Sequence, residues 1–233
     1  DFDLSVSETP SEIISILDRN NIKAVTVGAN HLTVTAVVSE DMQVEISTYR
    51  SLDNAGNIVY GNNINDDLKL RDFTVNSIAL SLLDYSLVDP LSGQEDINAK
   101  ALRINHEDRL IEDPLRILRF FRFISVLGFS PDFQTEQLVR KHKDKLAQVS
   151  VERIRTEFSK LLCGNHFGEA LRLCYKLGVL EIISADIAKC VGFEQNKYHK
   201  ADVFEHTLEV MGRIENQEDL RLAALLHDVG KPP

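Results

Sequence analysis

Two aspartates stand at the start of the chain, Asp1 and Asp3, in a stretch that alternates strictly. Asp1, Asp3, Ser5 and Ser7 fall on one face, and Phe2, Leu4 and Val6 on the other. On a β-strand, residues two apart face the same way with α-carbons roughly 6.6 Å apart. Carboxylates so placed can clamp two divalent cations roughly 3.5–4 Å apart, the spacing of two-metal phosphoryl transfer. Glu45 lies on the polar face of a later run, Gln43-Val44-Glu45-Ile46-Ser47, and is a candidate third carboxylate. On local grounds alone, a solvated strand face ending in charges explains the pair better. The rest of the chain must decide.

A second group of chemical interest is Glu112-Asp113-Pro114-Leu115-Arg116-Ile117-Leu118-Arg119-Phe120-Phe121-Arg122-Phe123. Asp113, Arg116, Arg119 and Arg122 recur every third residue, which sets neighbours about 4.5 Å apart along a helix axis. Asp113 before Pro114 also suits a helix N-cap. An arginine ladder interleaved with Leu118, Phe120, Phe121 and Phe123 matches a purely solvated face poorly. Taken alone, Arg71-Asp72 reads as a surface ion pair of little energetic value.

The elements that must position these residues change character along the chain. Thr9-Pro10-Ser11-Glu12 opens a helix, with Thr9 and Glu12 at capping-box spacing and Pro10 at the first helical position. Three β-rich runs follow, around Lys23–Gly28, Thr33–Val38 and Gln43–Tyr49. Residues 53–67, rich in Asn, Gly and Asp, read as a loop. From Asp113 onward the pattern is helical, with starts at Asp113-Pro114, Ser130-Pro131 and Ser150 and apolar spacing in 115–126, 151–162 and 220–226. The fold class expected is α+β, a small α/β head with a mixed sheet joined to an all-helical neck and body.

With 233 residues, 43% hydrophobic and 27% charged, the chain has the composition of a globular protein. No apolar run approaches the roughly 20 residues that span a bilayer, and no secretory signal is recognisable. Cys163, Cys174 and Cys190 lack C-x-x-C spacing and read as reduced core residues of a cytoplasmic protein. The net charge of −10 counts against a simple nucleic-acid binder. The basic residues nevertheless cluster, at Arg116–Arg122, Arg140–Lys145 and Arg153–Arg155, and local distribution governs binding.

Asp67-Leu68-Lys69-Leu70-Arg71-Asp72-Phe73-Thr74-Val75-Asn76 resembles the DLxRRDFTxNA signature of class II tRNA nucleotidyltransferases and bacterial poly(A) polymerases, with Leu70 in place of the first arginine. Asp89–Ile97 resembles the family's DPxGGxxDL element, with Ser92 for the first glycine and the role of a turn and hinge. Glu112–Arg116 resembles its EDxxR motif. Val149–Phe158 is similar to its (I/V)SxERIRxEL helix, where Glu152–Arg155 and Arg153–Glu157 are expected to pair locally.

The resemblance extends over nearly the whole chain. It implies a polymerase β-like head over 1–104, a helical neck with the base-recognition motif over 105–165, and a helical body over 166–233. It implies two Mg2+ ions on Asp1 and Asp3, nucleotide contacts from Arg71, Arg119 and Arg122, and base selection by Asp113 and Arg116. A carboxylate accepts from the exocyclic amino group of cytosine or adenine, and a guanidinium donates to the adjoining ring nitrogen. Uracil and guanine present the opposite pattern. The implied substrates are CTP, ATP and the 3′ end of tRNA, with poly(A) synthesis and CC- or A-addition as neighbouring activities.

Residues 198–208 and His227-Asp228-Val229-Gly230-Lys231 resemble the start of an HD domain. There His206, His227 and Asp228 match metal-ligand positions, implying a second, transition-metal site and a rival reading as a metal phosphohydrolase. A third reading is a non-catalytic RNA- or nucleotide-binding module. The family's Gly-Gly-x-x-Arg-Asp turn and its tRNA-gripping tail are not found in the sequence, as expected either of a fragment or of a sequence that omits disordered segments, and Leu32 stands at the second glycine of the Gly28–Val34 stretch.

Overall fold

The computed structural model describes residues 3–26, 32–39, 42–194 and 202–233. Asp1, residues 28–31 of the Gly28–Val34 stretch and residues 198–201 of the HD-like segment lie outside them. The chain groups into two compact units, one of residues 1–71 and 76–91, the other of 72–75 and 92–233. The expected neck and body both fall in the second unit, as does the stretch 92–104.

In the first unit, β1 (Asp3–Val6), β2 (Lys23–Thr26), β3 (Thr33–Val37) and β4 (Gln43–Thr48) form a sheet of order β1-β4-β3-β2. β1 runs parallel to β4 and the other pairs are antiparallel, giving the mixed sheet expected. The alternation in β1 does what period two requires. Leu4 and Val6 turn to the small core of Ile13, Leu17, Val34, Ala36 and Val44, which helix α1 (Pro10–Arg19) completes. The capping box forms as spaced: the Thr9 amide donates to Glu12 Oε2 at 2.8 Å.

The stretch 53–67 departs from the loop expected of it. β5 (Arg50–Leu52) and β6 (Ile58–Tyr60) make a hairpin, and α2 (Ile64–Lys69) starts within it. The Asn and Asp residues that suggested a loop are turn and cap residues. Asp53 Oδ1 accepts from the amides of Ala55 and Asn57, Gly56 supplies φ +84°, and Asn63 Oδ1 caps α2 through the Asn65 amide. A second hairpin, β7 (Ala79–Leu80) with β8 (Leu87–Val88), follows.

The second unit begins with α3 (Gly93–Ala99), β9 (Ala101–Leu102), α4 (Asp108–Glu112) and α5 (Leu115–Leu127). The short β10 (Ser130–Pro131) pairs with β9 instead of starting a helix; Asp132 caps α6 (Phe133–His142) by accepting from the Thr135 amide at 3.0 Å. Then come α7 (Val151–Leu162), α8 (Phe167–Lys176), α9 (Leu180–Ile183), α10 (Ala185–Lys189), α11 (Val203–Arg213) and α12 (Glu218–Leu226). α5 is the hub: Leu115, Ile117, Leu118, Phe120, Phe121 and Ile124 are all buried in one core with residues of α7 and α8. Its contact with the α7–α8 turn is close, since a Cβ on Gly164 would stand 2.5 Å from the Ser125 carbonyl oxygen. Among the described residues no helix is long and apolar enough to cross a membrane. The three cysteines are free, two of them buried, and burial holds the Cys174 thiol well above its ordinary pKa.

Candidate active site

The polar face of the first unit's sheet gathers chemistry by register. Asp3 pairs with Glu45 and Ser5 with Ser47 across the parallel β1–β4 ladder. Paired residues on neighbouring strands, roughly 4.8 Å apart, project to the same face. Asp3 and Glu45 are therefore adjacent exposed carboxylates. Thr33 Oγ1 lies 2.9 Å from Ser47 Oγ and continues the polar face on β3.

Arg71 reaches this face. Its Nη2 donates to Ser5 Oγ at 3.1 Å, two residues from Asp3, while its Nε lies 3.5 Å from Asp67. Asp67, the first residue of the DLxRRDFT-like stretch, is buried at 2% exposure and also accepts from Arg50 Nε at 2.6 Å and the Arg50 amide at 3.2 Å. Each residue of the Arg71-Asp72 dipeptide has a partner more distant in sequence than its neighbour. Arg71 turns to Asp67, and Asp72 belongs to the other unit, where it is buried against Arg119.

In the second unit the arginine ladder is held by carboxylates distant in sequence. Arg119 donates to Asp72 Oδ2 through Nε at 2.8 Å and Nη2 at 2.5 Å. Arg122 Nε lies 3.2 Å from Glu157 of α7, and Arg119 Nη1 lies 3.9 Å from the same residue. Asp72 and Glu157 are each 6% exposed. Both guanidiniums lie over the Phe123 ring, at 5.3 and 4.2 Å from its centroid, and Phe73 meets that ring edge-on at 5.4 Å. Of the interleaved aromatics, Phe123 is the bed on which both arginines rest, while Phe120 and Phe121 are buried in the core.

Asp113 lies in the turn between α4 and α5, and Arg116 in the first turn of α5. Asp113 Oδ1 accepts from the Leu115 amide at 3.3 Å, so it serves as a cap, and its two oxygens accept from Arg153 Nη2 at 3.1 and 3.0 Å. Arg116 Nη1 donates to the Arg109 carbonyl at 3.1 Å and lies 3.8 Å from Glu112. Burial pushes the proton affinity of Arg116 below its ordinary value, opposed by Asp72, Asp113 and Glu112. Burial does the same to Arg122, opposed by Glu157. Both remain cations, and partial desolvation makes each a stronger donor to an incoming acceptor.

The local pairs expected in α7, Glu152–Arg155 and Arg153–Glu157, do not form. Arg153 and Glu157 reach across to Asp113 and to the α5 arginines, because facing helices offer partners that are already partly desolvated. Sequence reasoning missed Arg153, Asp72, Glu157 and Asp67 as positioning residues. Their presence inside family-like motifs was the signal that could have found them.

Elsewhere in this unit His206, His227 and Asp228 bring ligand atoms within 4.8 Å of one another. His227 Nδ1 lies 2.6 Å from the Ala224 carbonyl, which leaves Nε2 facing Asp228 at 3.2 Å. Lys231 already sits 2.6 Å from that carboxylate. Ser92 takes φ +57° where the family pattern has glycine, and Asp96 of the same element is buried with Thr74 and Arg103 as partners.

Comparison with known proteins agrees with this layout. The poly(A) polymerase head-domain family matches residues 1–103, and the family described as a probable RNA and SrmB-binding site of polymerase A matches residues 128–190. The chain is 39% identical to the A-adding tRNA nucleotidyltransferase of Deinococcus radiodurans over 180 residues, 73% of this chain and 41% of that protein. It is 35% identical to the CCA-adding enzyme of Bacillus velezensis over 203 residues, 84% of this chain and 49% of that one. The Bacillus stearothermophilus CCA-adding enzyme, solved in complex with CTP, matches with a TM-score of 0.78 and 29% identity, covering 98% of this chain and 53% of that one. Mixed sheet, helical second unit and these matches define a head of the poly(A) polymerase type followed by its helical continuation. The chain belongs to the class II tRNA nucleotidyltransferase and poly(A) polymerase family. It spans less than half the length of the two curated relatives.

Proposed function

We propose that this chain carries the catalytic portion of a template-independent RNA nucleotidyltransferase that adds C and A from CTP and ATP to the 3′ end of tRNA. The observation that carries the reading is the strand register that sets Asp3 beside Glu45, with Arg71 reaching the same face, in a chain whose relatives are named for this chemistry. Adjacent carboxylates with no nitrogen or sulfur donor fit a hard cation such as Mg2+, and Asp1 and Asp3 are the ligands assigned to it. Two such ions, held there, would supply activation of the RNA 3′-hydroxyl and charge neutralisation at the leaving pyrophosphate.

The protein's own part is positioning. Arg71, held between Asp67 and Ser5, takes phosphate oxygens. Arg119 and Arg122, fixed by Asp72 and Glu157, keep donors for the nucleotide. Asp113 accepts from the amino group of C or A, and Arg116 donates to the ring acceptor. A carboxylate has about four acceptor sites, so the Leu115 amide and Arg153 leave room for one more donor. In this scheme residues 1–104 carry the transfer and 105–165 the base reading, in the cytoplasm, where the reduced cysteines are at home.

Residues 166–233 hold the start of an HD domain, with His206, His227 and Asp228 as a transition-metal site. The fixed tautomer of His227 suits a metal ligand, whereas Lys231 already supplies Asp228 with a cation. The Deinococcus relative favours a second reading, A-addition alone.

Incubating full-length protein with tRNA lacking its 3′ end, with CTP and ATP separately and together, tests all of these. CCA addition gives a three-nucleotide extension that needs both. An A-adding enzyme extends only tRNA already ending in CC, by one residue, and a poly(A) polymerase gives a long ladder from ATP. Metal-dependent phosphodiesterase activity without incorporation would replace the reading with the phosphohydrolase one.

A further inference from the structure

We propose that Arg50 is a second phosphate-binding guanidinium of the head, acting beside Arg71 on the triphosphate of the incoming nucleotide. The inference rests on the nucleotidyltransferase reading, and it stands on the geometry around Asp67. That carboxylate, 2% exposed, serves two guanidiniums at once: Arg50 Nε at 2.6 Å and Arg71 Nε at 3.5 Å. One buried negative charge needs one cation to balance it, and here two guanidiniums share the same carboxylate. Leu70 beside it is buried and offers no side-chain donor.

Arg50 is committed to Asp67 only through its backbone amide and Nε. Its two terminal amino groups have no hydrogen-bond partner among the described residues, and its side chain is 30% exposed. Four N–H donors are therefore anchored at the root and open at the tip. Arg50 begins β5, with Tyr49 alone between it and β4, whose polar face bears Glu45 and Ser47. Arg71, on the other side of the same carboxylate, touches Ser5 on that face. A polyphosphate is the ligand whose chemistry fits. Its oxygens accept the forked donors of arginine in pairs, and its several negative charges call for more than one guanidinium. A solely structural Arg50 would be expected to use its terminal groups on the protein.

The test is equilibrium titration of full-length wild type, Arg50→Ala and Arg50→Lys with ATP and with inorganic tripolyphosphate, which has no base to be read. Losing one charged contact is expected to weaken both ligands by about tenfold or more in Arg50→Ala. Arg50→Lys, which keeps a cation on Asp67 but loses the fork, should fall between. Wild-type affinity for both ligands in Arg50→Ala overturns the proposal. Should that variant fail to fold, wild-type affinity in Arg50→Lys overturns it equally. Absence of nucleotide incorporation by a wild type that still binds tripolyphosphate through Arg50 counts against the nucleotidyltransferase reading alone.

Discussion

Asp113 shows how much one side chain is asked to do. It caps α5 through the Leu115 amide, holds Arg153, and in the proposed function reads the base. Arg153→Ala leaves the cap but frees the carboxylate to rotate. Incorporation of C and A should fall by on the order of tenfold in kcat/KM with little change in melting temperature; an unchanged kcat/KM would show the lock to be idle. Exchanging the pair, Asp113→Arg with Arg116→Asp, reverses donor and acceptor and should relax or shift C/A selectivity when all four nucleotides compete. Asp72 predicts a different signature. Its carboxylate is buried against a two-pronged Arg119, so Asp72→Asn leaves a half-buried guanidinium poorly compensated and should cost about 3 kcal/mol. Urea unfolding checks this as a lower midpoint at unchanged slope.

Among the elements, α4 depends on a neighbour for its start. It is five residues long, and α6 pins its start: Glu107 Oε1 lies 2.7 Å from Lys141 Nζ and 2.5 Å from His142 Nε2. These partners, Lys141 first, hold the Glu107 carboxyl down at about 2. A carboxylate whose folded pKa is depressed stabilises the fold above its unfolded pKa, and that contribution is lost as pH falls from the ordinary 4.5 toward 2. Glu107→Gln should therefore lower the melting temperature at pH 7 and shrink its difference from wild type as the pH drops through that window. The α5 C-terminus makes a steric prediction. Gly128 has φ +67°, and a Cβ there would stand 2.5 Å from the His166 ring, so Gly128→Ala should cost at least about 1 kcal/mol in thermal unfolding.

At the scale of the molecule, what the sequence disclosed follows a physical divide. Strand alternation in Asp3–Val6, the Thr9–Glu12 box and the apolar stripe of α5 are set by neighbours a few residues apart, so their periods are visible directly. The β5–β6 hairpin was hidden because three-residue strands show no period and their Asn/Gly turn dominates the composition. The partners of the candidate site were hidden for the opposite reason. Asp72–Arg119, Asp113–Arg153 and Arg122–Glu157 join residues 35 to 47 apart, and only packed helices reveal them. The motifs named the residues to which the proposed function gives substrate contacts, while the side chains paired with them emerged from the fold.

The central claim, that the carboxylate face bearing Asp3 performs nucleotidyl transfer, is tested most directly by one measurement. Full-length wild type and Asp3→Ala are given tRNA lacking its 3′ end, a divalent cation and α-labelled CTP or ATP, and label in the RNA is counted. The account predicts incorporation by wild type and its loss in Asp3→Ala, with the variant's melting curve unchanged. Incorporation that survives in Asp3→Ala would contradict it.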